Sequence, residues 1–158
     1  MKPYKNTSFA FLLLMLLAAP MVGHGQVALR AKHFNLDNGL AIEGYDPVAY
    51  FTTGKATEGK KQISFTVEGV TYRFANEGNK SAFAKDPKKY EPQYGGWCAY
   101  AMGATKEKVN IDPETFKIVN GKLHLYYNSW GNNTLVKWNA KEATWSPAAD
   151  RNWTLIYK

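Results

Sequence analysis

The chain has 158 residues, of which 45% are hydrophobic, 21% charged and 15% aromatic. These proportions exclude a collagen-like, low-complexity or mostly disordered polymer and favour one compact domain with a buried core. Lys and Arg outnumber Asp and Glu 20 to 13, for a formal net charge of +7, and the single cysteine, Cys98, excludes an internal disulfide.

Lys2 and Lys5 precede an almost wholly apolar run from Phe9 to Val22, and Gly23-His24-Gly25 places small residues just before Gln26. This pattern predicts a secretory signal peptide over residues 1–25. The run is shorter than the roughly 18 apolar residues of a spanning helix, so no stable membrane insertion is expected after cleavage. No cysteine follows the signal to carry a lipid anchor. Residues 26–158 are then expected to form one periplasmic or secreted domain with an N-terminal lead-in and a C-terminal extension, stabilised by aromatic packing.

Val27 to Leu40 carries apolar residues too irregularly for a definite element. In Tyr45-Asp46-Pro47, the proline pushes Asp46 toward an extended backbone, and Val48 to Phe51 is expected to enter a short strand. Thr52 to Lys61, with two glycines and three lysines, reads as a solvated loop. Ile63, Phe65 and Val67 alternate with polar residues, Glu68-Gly69 makes a tight turn, and Val70, Tyr72 and Phe74 lead back, a hairpin with one buried face. Asn76 caps a helix over about 77–85, which Asp86-Pro87 stops.

Tyr90-Glu91-Pro92 turns the chain into Tyr94 to Met102, where Gly95-Gly96 implies close backbone approach before a short helical or irregular piece. Asn120-Gly121 between Phe116–Val119 and Leu123–Tyr127 signals a second hairpin. Leu135, Trp138, Ala143 and Trp145 fit a helical or partly helical tail ending near Pro147, with Trp153 to Ile156 closing over the domain. The elements add up to a small α+β domain of two β-hairpins and short helices.

Three blocks, Gly44-Tyr45-Asp46-Pro47-Val48-Ala49-Tyr50-Phe51, Asp86-Pro87-Lys88-Lys89-Tyr90 and Pro92-Gln93-Tyr94-Gly95-Gly96-Trp97-Cys98-Ala99, occur in that order. Together with Tyr72-Arg73-Phe74 and Gly121-Lys122-Leu123-His124-Leu125-Tyr126, they resemble the exported branch of the YHS domain family over roughly residues 44–127. The resemblance implies a small domain related to zinc-ribbon-like metal modules, found beside heavy-metal-transporting ATPases, in some oxygenase subunits and in secreted proteins of unknown role. Metal-associated members look like Asp-Pro-Val-Cys-Gly-Met at the opening and carry a Cys pair before the helix. Here the opening positions are Ala49 and Phe51, and the pair falls on Ala75 and Asn79, so the implied ligands are absent there and the fold can be inherited without the metal function.

Cys98 and Met102 are four residues apart and would share a face if that segment is helical. With His124 they form a donor set suited to soft copper, Cu(I), because thiolate and thioether sulfur match a soft ion better than oxygen does. The competing reading makes Cys98 a packed core or turn residue. His124, between two leucines, points away from their face and reads as solvated or locally hydrogen-bonded; nothing places His33 beside Cys98. Asp46 and Asp112, each before a proline, read as turn residues satisfying backbone N–H groups. Tyr45, Tyr50, Tyr94, Trp97 and Tyr100 either line a small-ligand pocket or form an aromatic core. The scattered lysines, without a recognition helix, argue against nucleic acid. The chain is therefore expected to be an exported binding or accessory module, more in keeping with a non-enzyme than an enzyme. Its partner would be a metal ion, with copper the first candidate, a small ligand or a protein; the alternative is a structural or protein-interaction domain that has lost the family metal site.

Overall fold

The computed structural model describes residues 22–158. They form a small single domain of mixed helices and sheets. The predicted leader, residues 1–25, lies outside the described residues except for its last four positions.

Helix α1 (Val22–His33) occupies the first half of the segment left without an element in the sequence, and β1 (Leu36–Asp37) and β2 (Leu40–Ala41) follow as a tight hairpin. Its turn is Asn38-Gly39, both with positive φ, the backbone that two-residue hairpins require. The stretch expected as a strand after Pro47 is instead a helical turn, α2 (Ala49–Thr52). The reason is local: the Asp46 carboxylate accepts hydrogen bonds from Val48 N (2.8 Å) and Ala49 N (3.3 Å), which folds the chain back on itself.

β3 (Lys60–Val67) and β4 (Val70–Phe74) pair antiparallel around Glu68-Gly69, and β4 also pairs in parallel with β2, giving a four-stranded sheet in the order β1-β2-β4-β3. The alternation read from the sequence holds, with Val70, Tyr72 and Phe74 buried and Ile63, Phe65 and Val67 packed against them. Helix α3 (Glu77–Lys85) opens on Asn76, whose side chain accepts from Asn79 N at 2.8 Å. It sends Phe83 into the sheet, where its ring stands 4.6 Å from Tyr72 and 5.3 Å from Phe74. After α4 (Pro87–Tyr90) the chain reaches Tyr94 and Gly95, both at positive φ, and then α5 (Ala99–Ala104). A side chain at Gly95 would collide with Phe34 and Trp153 at under 3 Å, the close approach that the glycine pair implied.

β5 (Asp112–Val119) and β6 (Lys122–Tyr126) pair antiparallel around Asn120-Gly121. A further small hairpin follows, β7 (Asn128–Ser129) with β8 (Asn132–Asn133), turning at Trp130-Gly131. Two hairpins therefore describe the chain too sparsely: among the described residues the strands fall into one four-stranded and two two-stranded sheets. α6 (Thr134–Ala140) and α7 (Glu142–Ile156) complete the domain.

α7 does not end near Pro147 but runs through it. Proline removes one helical hydrogen bond, and tertiary contacts hold the helix on both sides of it. The Trp145 backbone presses on Gly103, Asn152 Nδ2 donates to Met102 O at 2.8 Å, and Tyr94 OH donates to Asp150 at 3.0 Å. Because α6 and α7 cover the far side of β6, that strand is buried on both faces. Leu123 and Leu125 face the main core, and Tyr126 joins Met102, Trp138 and Ala149 in a second one.

Candidate functional site

The Gly44–Phe51 segment is organised around Asp46, which is fully buried. One carboxylate oxygen accepts from Val48 N and Ala49 N; the other accepts from Ala75 N at 2.8 Å and Asn79 Nδ2 at 2.7 Å. A buried carboxylate is tolerated when its lone pairs are met in this way. Positions 75 and 79, which the resemblance equates with a Cys pair, thus converge on a carboxylate. Ala49 is buried at the start of α2, and Phe51 packs edge-on to Tyr90 at 5.4 Å. Asp112 is likewise a turn residue, accepting from Glu114 N (2.9 Å) and Thr115 Oγ1 (2.7 Å).

Cys98 immediately precedes α5 and is fully buried. Its sulfur lies 3.3 Å from Thr134 Oγ1 and accepts from Tyr127 N at 3.4 Å, so it ties α5 to the end of β6 and the start of α6. Thr134 Oγ1 donates to Tyr127 O at 2.8 Å, which leaves the cysteine S–H and the threonine lone pairs to meet each other. Met102, four residues on in α5, is fully buried and belongs to the second core. His124 is buried rather than solvated, because Trp138 of α6 and Tyr94 stand 5.8 Å and 5.7 Å from its ring. Its Nδ1 lies 3.2 Å from Lys122 O, the local hydrogen bond that the sequence allowed. Burial pushes the imidazole pKa below its ordinary value, against the pull of Asp150 and Glu142. Among the described residues no three His, Cys, Asp or Glu side chains stand together as a metal-binding group.

The five aromatics suggested as one pocket are divided among different neighbours. Tyr50 OH donates to Pro113 O, Tyr45 OH to Glu114, Tyr94 OH to Asp150 and Trp97 Nε1 to His33 O, while Tyr100 packs against Trp145. Two separate surface clefts result. One of about 270 Å³ lies among Phe34, Glu91, Tyr94, Asp150 and Trp153. The other, about 250 Å³, lies among Leu36, Leu40, Ile42, Trp97 and Ile111.

Sequence reasoning missed the buried ionic network that fastens α1. Arg30 forks onto Glu91, reaches Glu68 at 3.3 Å and lies 4.5 Å above the Phe34 ring, and Tyr72 OH also donates to Glu91 at 3.0 Å. Burial opposes the guanidinium charge, but Glu91 outweighs it and the Arg30 pKa rises. No local pattern signals this, since its members are up to 61 residues apart. His33 is also buried, with Lys108 Nζ 3.3 Å from its Nδ1; burial, Lys108 and Lys32 all lower its pKa. It does not share Cys98's hydrogen bonds.

No family model, curated protein or solved structure matches this chain.

Proposed function

We propose that this chain is an exported YHS-like domain, built on the β3–β4 and β5–β6 hairpins, that serves as a structural or protein-interaction module and not as a metal centre. The observation that carries this reading is the Asp46 cradle. The positions where metal-associated YHS members place their Cys pair supply Ala75 N and Asn79 Nδ2, and both donate to one buried carboxylate. Amide donors repel a cation and satisfy an anion, so this polar network stabilises the fold in place of a ligand set.

The copper-handling expectation rests on Cys98, Met102 and His124. Against it, the Cys98 sulfur is enclosed and engaged with Thr134 and Tyr127, and His124 lies against Trp138 and Tyr94. Converting Cys98 to a copper thiolate would require breaking those contacts as well as deprotonating a buried thiol. The test is a competition titration with Cu(I) and Zn(II) on reduced, tag-free protein and on Cys98→Ser. The module reading expects no stoichiometric tight site that the substitution removes. A tight one-to-one site lost in Cys98→Ser would restore the metal reading.

A further inference from the structure

The end of α1 carries Lys32 and His33 to the segment between α5 and β5, where Lys108 stands. Lys108 Nζ lies 3.3 Å from His33 Nδ1, 3.4 Å from Lys32 O and 5.8 Å from the centroid of the Trp97 ring. The imidazole is 7% exposed, its Nε2 is buried without a hydrogen-bond partner, and Tyr157 at the end of α7 stands edge-on to it. Lys108 itself is exposed, so an amine held against a buried ring stays open to solutes. Among the described residues no carboxylate pairs with it.

The unpartnered nitrogen decides how the hydrogens are shared. A neutral imidazole carries one N–H. If an ammonium donated to Nδ1, that hydrogen would sit on Nε2 as a buried donor without an acceptor. If it sits on Nδ1, it donates to the lone pair of an uncharged amine, Lys108 keeps a hydrogen for Lys32 O, and Nε2 is only an unfilled acceptor. A buried N–H without an acceptor is the rarer fault in folded proteins. The hydrogen-bond geometry therefore suits Lys108 as a free amine. Burial, and after it the neighbouring Lys32 charge, act in the same direction by lowering the Lys108 pKa. An uncharged lysine amine is a nucleophile.

We propose that Lys108 is a carbonyl-capture site that forms an imine with small aldehydes, with His33 as the positioning residue that keeps the amine uncharged. The Nζ lone pair leaves the Nδ1 hydrogen and bonds to the aldehyde carbon, while the C=O π pair moves to oxygen. Water carries both nitrogen protons to that oxygen, the C–O bond breaks, and one water departs as the C=N bond forms. No oxidant or reductant takes part. The site is separate from Asp46 and Cys98 and does not depend on how either is read.

The test treats the full chain, as the expression host processes it, with limiting propanal and cyanoborohydride, which reduces imines to stable amines. Modification at each lysine is then measured by peptide mass. At pH 7 Lys108 should react about fivefold faster than the exposed loop lysines Lys55 and Lys61, because more of it is uncharged. That lead should narrow as the pH rises toward about 9. Lys32→Gln, at an exposed position, should cut the lead by roughly half. His33→Phe keeps a ring against Tyr157 but has no nitrogen, and should abolish it; Lys32→Gln carries the test if that variant does not fold. A parent in which Lys108 reacts no faster than the loop lysines would overturn the proposal. So would a lead that is independent of pH or unchanged by the substitutions, which would mark plain accessibility as its cause.

Discussion

Asp46→Asn should be among the most damaging near-isosteric changes available in this chain, and its cost follows from a count of donors. In the parent, four N–H donors converge on one buried carboxylate, two on each oxygen. In the amide, the remaining oxygen still accepts from Val48 N and Ala49 N, but the new NH₂ faces two other donors, Ala75 N and Asn79 Nδ2. Each donor left without an acceptor costs about 1–3 kcal/mol, so the substitution should cost about 2–6 kcal/mol. That is a large part of a typical domain stability of about 5–15 kcal/mol. The assay is urea unfolding at neutral pH, read by tryptophan fluorescence. Combining Asp46→Asn with Asn79→Asp restores one donor–acceptor pair and should recover about 1 kcal/mol, leaving only Ala75 N unmet. A single Asp46→Asn variant within about 0.5 kcal/mol of the parent, or a double variant no better than the single, would refute the argument that position 46 is held by hydrogen bonding.

Other consequences follow from the same packing. Glu91→Ala takes the forked partner from the buried Arg30 guanidinium and leaves it only the exposed Glu68 carboxylate, so it should cost less than the about 3–5 kcal/mol of a fully unpaired buried charge; limited proteolysis should then cut within α1 before the rest of the domain. Gly103→Ala would place a methyl 2.7 Å from the Trp145 backbone oxygen, so α5 and α7 must separate, and a cost of about 1–3 kcal/mol is expected in thermal or urea unfolding.

His124 has a folded-state pKa held down by burial, below an unfolded value of about 6.5. Its neutral form is the one the fold accepts, so its contribution is fully present above about pH 6.5 and is lost as pH falls from there through the folded pKa. His33, also lowered, acts in the same direction. Unfolding free energy measured from pH 7.5 to 5 should fall on the acid side, with a shallower slope in His124→Gln; an unchanged slope would assign the acid sensitivity elsewhere.

Legibility in the sequence followed the range of the forces involved. The β3–β4 pairing, the Asn76-capped α3 and the Asn120-Gly121 turn all rest on residues a few positions apart, and all were readable. The turn roles of Asp46 and Asp112 were readable for the same reason. By contrast, the identity of Asp46's far partners, Ala75 and Asn79, required the fold. α1 lacks a clean apolar stripe because Arg30 and His33 are among its buried residues. The strand expected after Pro47 lost to a side-chain turn, and the stop expected at Pro147 lost to the contacts between α5 and α7.

His124 shows how an alternating pattern misleads. Leu-His-Leu correctly separates two faces of β6, but only the placement of α6 and α7 reveals that the second face is also dry. The Trp130 hairpin was missed because Asn-Ser-Trp-Gly lacks both the Asn-Gly signature and long flanking apolar runs. At the candidate metal site, Cys98 precedes α5 and packs in the main core while Met102 lies within α5 and packs in the second, and the partners of the sulfur, Thr134 and the Tyr127 amide, carried no sequence mark.

The most direct test of the central claim, that Cys98 is a packing residue closed to metals and substrates, is its rate of reaction with a small thiol reagent across a series of urea concentrations below the unfolding midpoint. The account predicts negligible labelling in native buffer, with rates that rise in proportion to the globally unfolded fraction. Rapid labelling of the native protein, at the rate of an accessible thiol and insensitive to urea, would contradict it.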